Sequence, residues 1–170
     1  MKHWIKMLTA LAASAAVAAA AAALALAHGT KADGATVAVK RSPLGRILVD
    51  SRGITLYDFV KDKRGASTCY GACAALWPPL TTKGKPHAGR GVRASLLGTT
   101  KRKDGRLEVT YNHHPLYTFV NDTRKGQTNG EEVDAFGAEW YAVSAAGLKV
   151  EKSAATSNSG GDPTAGGYGY

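Results

Sequence analysis

Gly45 to Arg64 reads GRILVDSRGITLYDFVKDKR, and Gly105 to Arg124 reads GRLEVTYNHHPLYTFVNDTR. The two stretches lie 60 residues apart and align without a gap, with 9 of the 20 positions identical. Their common core is Leu-Tyr-x-Phe-Val-x-Asp, at Leu56–Asp62 and again at Leu116–Asp122. Self-similarity of this kind describes architecture: one supersecondary unit is used twice. In each copy a short apolar run (Ile47-Leu48-Val49; Leu107 to Tyr111) meets a turn (Ser51-Arg52-Gly53; Asn112-His113). A second run follows (Ile54 to Val60; Pro115 to Val120), which predicts a β-hairpin. Side chains alternate along a strand, so Tyr57 and Phe59 share one face while Leu56 and Val60 share the other. Tyr117, Phe119, Leu116 and Val120 repeat the pattern. A strand apolar on both faces is buried on both, or lies between a core and a covering segment.

Asp62 and Asp122 close these strands, each followed within four residues by a glycine, Gly65 or Gly126. Aspartate bonds its own downstream backbone N–H groups, so both read as turn-starters. Tyr57 and Tyr117 read as amphipathic core residues with the hydroxyl at the rim. Cys69 to Trp77, CYGACAALW, predicts one or two helical turns, stopped by Pro78-Pro79. Trp77 and Trp140 follow their repeats as large core anchors. Trp140–Val143 and Leu148–Val150, joined across Ala145-Ala146-Gly147, predict a closing hairpin. The expected fold is all-β. Two similar β-hairpin repeats, about 45–80 and 105–143, pack with pseudo-twofold symmetry, and one short helical turn lies near 69–77.

The flanks are of different material. Lys2, His3 and Lys6 precede an alanine- and leucine-rich stretch from Met7 to Leu26, and Ala25-Leu26-Ala27 supplies a small-x-small pattern. This layout predicts a signal peptide over 1–27, cleaved after about Ala27, and hence a secreted or periplasmic protein. The stretch is long enough for a membrane anchor, but its alanine content and its ending favour cleavage. No cysteine precedes Cys69, which argues against a lipid anchor, and no later apolar run is long enough to span a bilayer. The Ser/Gly-rich stretch 153–170 predicts a disordered tail. Between them lies a duplicated domain at 36–151. It comprises repeat 1 at 45–80, a basic inter-repeat segment at 83–106 and repeat 2 at 105–150.

The stretches LYDFVKD, STCYGACAALWPPL, GRGVRASLLGT, VTYNHHPLYTFVND and FGAEWY together resemble a family of bacterial secreted proteins and lipoproteins. That family carries a Tyr-x4-Asp repeat and has no known function. The resemblance covers about Pro43 to Gly147. It implies an envelope or extracellular location and a duplicated body, and it brings no catalytic residues with it. Many members begin with a lipidated cysteine, which this chain lacks.

The chain carries a formal net charge of +9. Eight basic residues fall between Lys83 and Arg106, against the single acid Asp104. Such a segment suits an anionic envelope polymer, and Lys101, Arg102 and Lys103 are the candidate contacts. It contains no aromatic residue to stack on bases, so specific nucleic-acid binding is not expected.

Cys69 and Cys73 are the only cysteines. In an oxidising compartment they predict a structural disulfide. The alternative is a periplasmic copper or redox site, completed by His87, His113, His114 or His28. His113 and His114 are adjacent and point differently on a strand, so the simpler reading is an exposed turn. No Gly-x-Ser-x-Gly, His-Glu-x-x-His or phosphate loop occurs, and no Cys-x2-Cys-His for haem. A distant alternative is a hydrolase using Asp62 and Asp122 as a carboxylate pair. The leading expectation is a non-catalytic, cofactor-free secreted module that acts by binding or structural presentation.

Overall fold

Strand-forming runs of two to seven residues, punctuated by turns, leave backbone groups that another run must satisfy. The computed structural model describes residues 34–63 and 65–152. The predicted signal peptide at 1–27, His28 and the predicted tail at 153–170 lie outside the described residues. In chain order the elements are β1 (Thr36–Ser42), β2 (Gly45–Asp50), β3 (Tyr57–Phe59), a short helix α1 (Ala72–Leu76), β4 (Thr81–Thr82) and β5 (His87–Ala88). A 3-10 turn at Ala94–Leu96 then leads into β6 (Leu97–Lys101), β7 (Leu107–Tyr111), β8 (His114–Pro115), β9 (Val133–Ala135) and β10 (Ala138–Ala142). Three small sheets result: β2-β1-β5, β3-β10-β9, and β4-β7-β6 with β8 added on β7. Among the described residues the fold is all-β with one helix of barely more than a turn, as expected. Strand β1 was not anticipated. Its Val37 is fully buried, and Thr36-Val37-Ala38-Val39 carries the faint alternation that marks it.

Both hairpins form, but they differ by one residue. In copy one the Asp50 N–H donates to the Ile54 carbonyl across a three-residue loop, and Leu56 N–H donates to Leu48 O. The Asp50 carboxylate accepts from the Arg52 and Ile54 N–H groups, and Gly53 takes φ 86°. In copy two Tyr111 pairs with His114 across a two-residue loop, and Leu116 N–H donates to Val109 O. Asn112 and His113 both have positive φ, 49° and 67°, the geometry of a type I′ turn. Leu48 therefore corresponds to Val109, and not to Glu108 as the gapless alignment implies. Core membership agrees. Leu48, Leu56, Val109 and Leu116 share one buried cluster, while Ile47 packs in the other.

The repeats are interlaced rather than set side by side. Tyr57 and Tyr117 exchange both backbone hydrogen bonds, N–H to O at 2.8 and 2.9 Å, so the pseudo-twofold axis passes between them. The segment that follows copy one runs along copy two: Val120 N–H donates to Leu76 O, Thr118 N–H to Pro78 O, and Leu80 N–H to Leu116 O. The segment that follows copy two runs along copy one in the same way: Val60 N–H donates to Glu139 O, and Val143 N–H to Leu56 O. Trp77 and Trp140 are therefore equivalent, and each is delivered to the other copy's strand.

Their rings stack at the axis with centroids 4.0 Å apart and planes 4° from parallel. Phe59 stacks on Trp140 and Phe119 on Trp77, each at 4.1 Å, which makes a continuous pile of four rings. Tyr57 meets Trp77 edge-on, and Tyr117 meets Trp140 likewise. This aromatic cluster and the aliphatic one built on the leucines are the two cores, one on each face of the motif strands. One expectation needs correction. Val60 and Val120 are not buried but 51% and 44% exposed. Each sits past the end of its core, where Asp62 N–H turns back to Phe59 O and Asp122 N–H to Phe119 O.

Candidate functional site: the crossed tyrosine–aspartate pairs and their surroundings

The β-turn that ends each motif strand throws the aspartate back toward the axis, where the other copy's tyrosine waits. The Tyr57 hydroxyl donates to Asp122 Oδ2 at 2.5 Å, and the Tyr117 hydroxyl donates to Asp62 Oδ2 at 2.6 Å. Both tyrosines are fully buried. The second carboxylate oxygen of each aspartate holds its own loop. Asp62 Oδ1 accepts from the Thr68 N–H and hydroxyl, and Asp122 Oδ1 accepts from the Asn129 N–H. Each aspartate closes a β-turn rather than starting one: its N–H is the turn's donor, and its carboxylate reaches six or seven residues down the following loop. The hydroxyls, however, are not at a wet rim; they are consumed by the partner repeat.

Burial pushes both tyrosines far above their ordinary range, and the facing carboxylates add to the shift. Burial also raises Asp62 and Asp122, while the bonds from Tyr117 and Tyr57 pull them back down. A tyrosine held this firmly as a donor is neither base nor nucleophile at neutral pH, and both oxygens of each carboxylate already accept a hydrogen bond. The two aspartates also open onto different grooves. Asp62 lies beside Asp58, Val60, His114 and Lys149, and Asp122 beside Ile54, Val120, Arg124 and Lys125. The hydrolase reading requires one concave site holding both, and neither of these two grooves holds both.

The first half extends its pair into a longer network. The Tyr117 proton is given to Asp62, so Ser67 Oγ donates to the Tyr117 oxygen at 2.7 Å. Arg102 then donates to Ser67 Oγ at 2.7 Å, to Glu108 Oε2 at 2.6 Å and to the Cys69 carbonyl at 2.7 Å. Its guanidinium also lies 4.4 Å from the Tyr70 ring centroid. Arg102 is 2% exposed. It is thereby removed from the candidate anion contacts, because its charge is already committed to Glu108 inside the fold. Burial outweighs that ion pair and leaves the Glu108 carboxyl pushed up to about 7. Lys101 and Lys103 stay exposed.

Cys69 and Cys73 are joined in a disulfide around the start of α1, with Cα atoms 5.3 Å apart. The copper reading needs both as thiolates. His113 is at the exposed turn, and His114 Nδ1 lies 3.8 Å from Asp58 Oδ2. Among the described residues, no group of three or more His, Cys, Asp or Glu side chains is placed to hold a metal ion. Asp58 is pushed up to about 7 by burial, and its Oδ1 has no hydrogen-bond partner among the described residues. The corresponding residue of copy two is Thr118. Sequence reading missed Asp58 because it sits inside the motif at a position the copies do not share.

A family model described as a secreted repeat of unknown function matches residues 38–81 and again residues 98–144. The chain belongs to that family of secreted repeats. The two matches span the two structural copies together with their swapped tryptophan segments. No curated protein and no solved structure matches the chain. Among the described residues, no helix is long and apolar enough to cross a membrane.

Proposed function

We propose that this secreted repeat protein is a non-catalytic module that binds an anionic polymer of the cell envelope or extracellular space, with the interlaced β-body as a rigid scaffold. One observation carries this reading: the repeated Tyr-x4-Asp residues, the natural candidates for chemistry, are spent on one another across the pseudo-twofold axis. What remains open to a partner is the surface, and the formal net charge of the chain is +9. Positive surfaces concentrate and hold anionic partners in a salt-dependent way. The Tyr-x4-Asp spacing itself fits the geometry, since four intervening residues are what a strand end and one β-turn need to return the aspartate to the axis. Export follows a signal peptide cleaved after Ala27, which the intact mass of the secreted protein tests. Retention of the full chain on an anionic and a neutral matrix of the same backbone, across a salt gradient, tests the binding. Elution from the anionic matrix alone that moves with salt supports the reading. Equal passage through both columns contradicts it.

A further inference from the structure

The sequence draws attention to the basic run at 101–103, but the fold gathers cations elsewhere. Strand β1 is edged by the chain at 87–91, which runs beside it on main-chain bonds: His87 N–H to Ala35 O, Gly89 N–H to Val37 O, and Val39 N–H to Arg90 O. These bonds fix the position from which the Arg90 side chain departs. Gly91 takes φ 80°, and a Cβ there would lie 3.0 Å from Val39 and 3.2 Å from the Arg46 guanidinium. The absent side chain is what lets Arg46 lie across this loop. Arg41 and Arg46 are direct cross-strand partners in the β1–β2 register. Like charges directly opposite one another destabilise a hairpin. Here nothing offsets them. Lys40, Arg41, Arg46 and Arg90 line one groove with no carboxylate in its wall. None of the four makes an ion pair among the described residues.

The groove continues. Lys40 and Arg90 also line the neighbouring depression, together with Arg52 and Lys125. Its one acid, Asp50, is buried and held by Arg52. Five exposed cations with no ion pair among the described residues, and Arg52 beside its partner Asp50, thus border a path over β1. The path offers no aromatic ring on which a base or a sugar could stack. A site that reads charge and almost nothing else suits a ligand whose surface is mostly anion. Four of the six cations are arginines, whose planar fork matches phosphate oxygens in pairs.

We propose that this groove seats a linear phosphate-linked polymer, with successive phosphates passing Arg41–Arg46, Arg90–Lys40 and Arg52–Lys125. The proposal rests on the anionic-polymer reading above and names its site and chemistry.

Titration of the full chain with inorganic polyphosphate at several salt concentrations tests it, with polygalacturonate as a carboxylate control. The variants are Arg46→Gln/Arg90→Gln and, for comparison, Lys101→Gln/Lys103→Gln. The expected result is an affinity loss of about tenfold or more for the groove variant. The slope of log affinity against log salt should shrink by about one per cation removed. The Lys101/Lys103 variant should stay within about twofold of the parent, and polygalacturonate should bind more weakly. Polyphosphate should also raise the thermal midpoint of the parent more than that of the groove variant, a readout that requires the variant to be folded. Salt-dependent binding that survives in the groove variant overturns the groove while leaving the anionic-polymer reading standing. Polygalacturonate binding as tight as polyphosphate binding overturns the phosphate assignment. A parent that binds neither polymer removes the anionic-polymer reading, and this proposal with it.

Discussion

Tyr57 and Tyr117 carry the most structural consequence per atom. Each hydroxyl is buried and donates to a carboxylate, so deleting it leaves a carboxylate oxygen without its donor, in the case of Asp122 inside the fold. A hydrogen bond to a charged group contributes about 1.5–3 kcal/mol. Tyr57→Phe and Tyr117→Phe are each expected to lower unfolding free energy by that amount in urea titrations. Both oxygens also accept a second bond, Tyr117's from Ser67 and Tyr57's from the Gly130 N–H, so the two substitutions should cost about the same. At the opposite extreme, His113 sits at φ 67°, where a β-branched residue is strained and glycine is not. His113→Val should therefore destabilise by about 1–2 kcal/mol and His113→Gly should not. The motif's tyrosines, phenylalanines and leucines were legible as core from the sequence, because alternation fixes which face each occupies. Arg102 was not legible. It stands in a run of basic residues and looks like its neighbours, and its partner Glu108 is hidden beside Val109 on a strand that reads as apolar.

At the level of elements, the disulfide spans a sequence separation of four. Loop-closure entropy for so short a ring is worth about 2 kcal/mol. The double variant Cys69→Ala/Cys73→Ala should lose about that much and remain folded, since Arg102 anchors the segment through the Cys69 carbonyl. Complete unfolding on reduction would show that the segment 69–77 depends on the bond alone. The hairpins, the short helix and the tryptophan anchors could all be placed from the sequence, because turn residues and prolines punctuate them locally. Two things could not. The one-residue difference between the hairpin loops is invisible to a gapless alignment, since identical residues flank it on both sides. The destination of the tryptophan segments is a question of which strand they pair with, and spacing along the chain is the same whether they pair within their own repeat or with the other.

Across the whole molecule, buried carboxylates accumulate. Asp58, Glu108 and Glu131 are each pushed up to about 7, in every case chiefly by burial. The folded protein therefore holds protons that an unfolded chain gives up near its ordinary carboxyl range of about 4. Wherever the native state binds more protons, stability falls as pH rises. This contribution is complete below about pH 4 and is lost progressively up to about pH 7. The urea midpoint should be higher at pH 5 than at pH 8. Glu131→Gln keeps an acceptor for the Ala142 N–H and should flatten that slope, while an unchanged slope would remove Glu131 as a contributor.

The larger claim is that the two repeats hold each other rather than themselves, through backbone exchange at Tyr57–Tyr117, through traded tryptophans and through crossed Tyr–Asp bonds. Double-mutant cycles test it most directly, with Tyr57→Phe combined once with Asp122→Asn and once with Asp62→Asn. The interlaced structure predicts a coupling of about 1 kcal/mol or more between Tyr57 and Asp122. Between Tyr57 and Asp62, which share one copy of the motif, it predicts additivity within about 0.5 kcal/mol. Coupling inside the copy with additivity across the axis would contradict it.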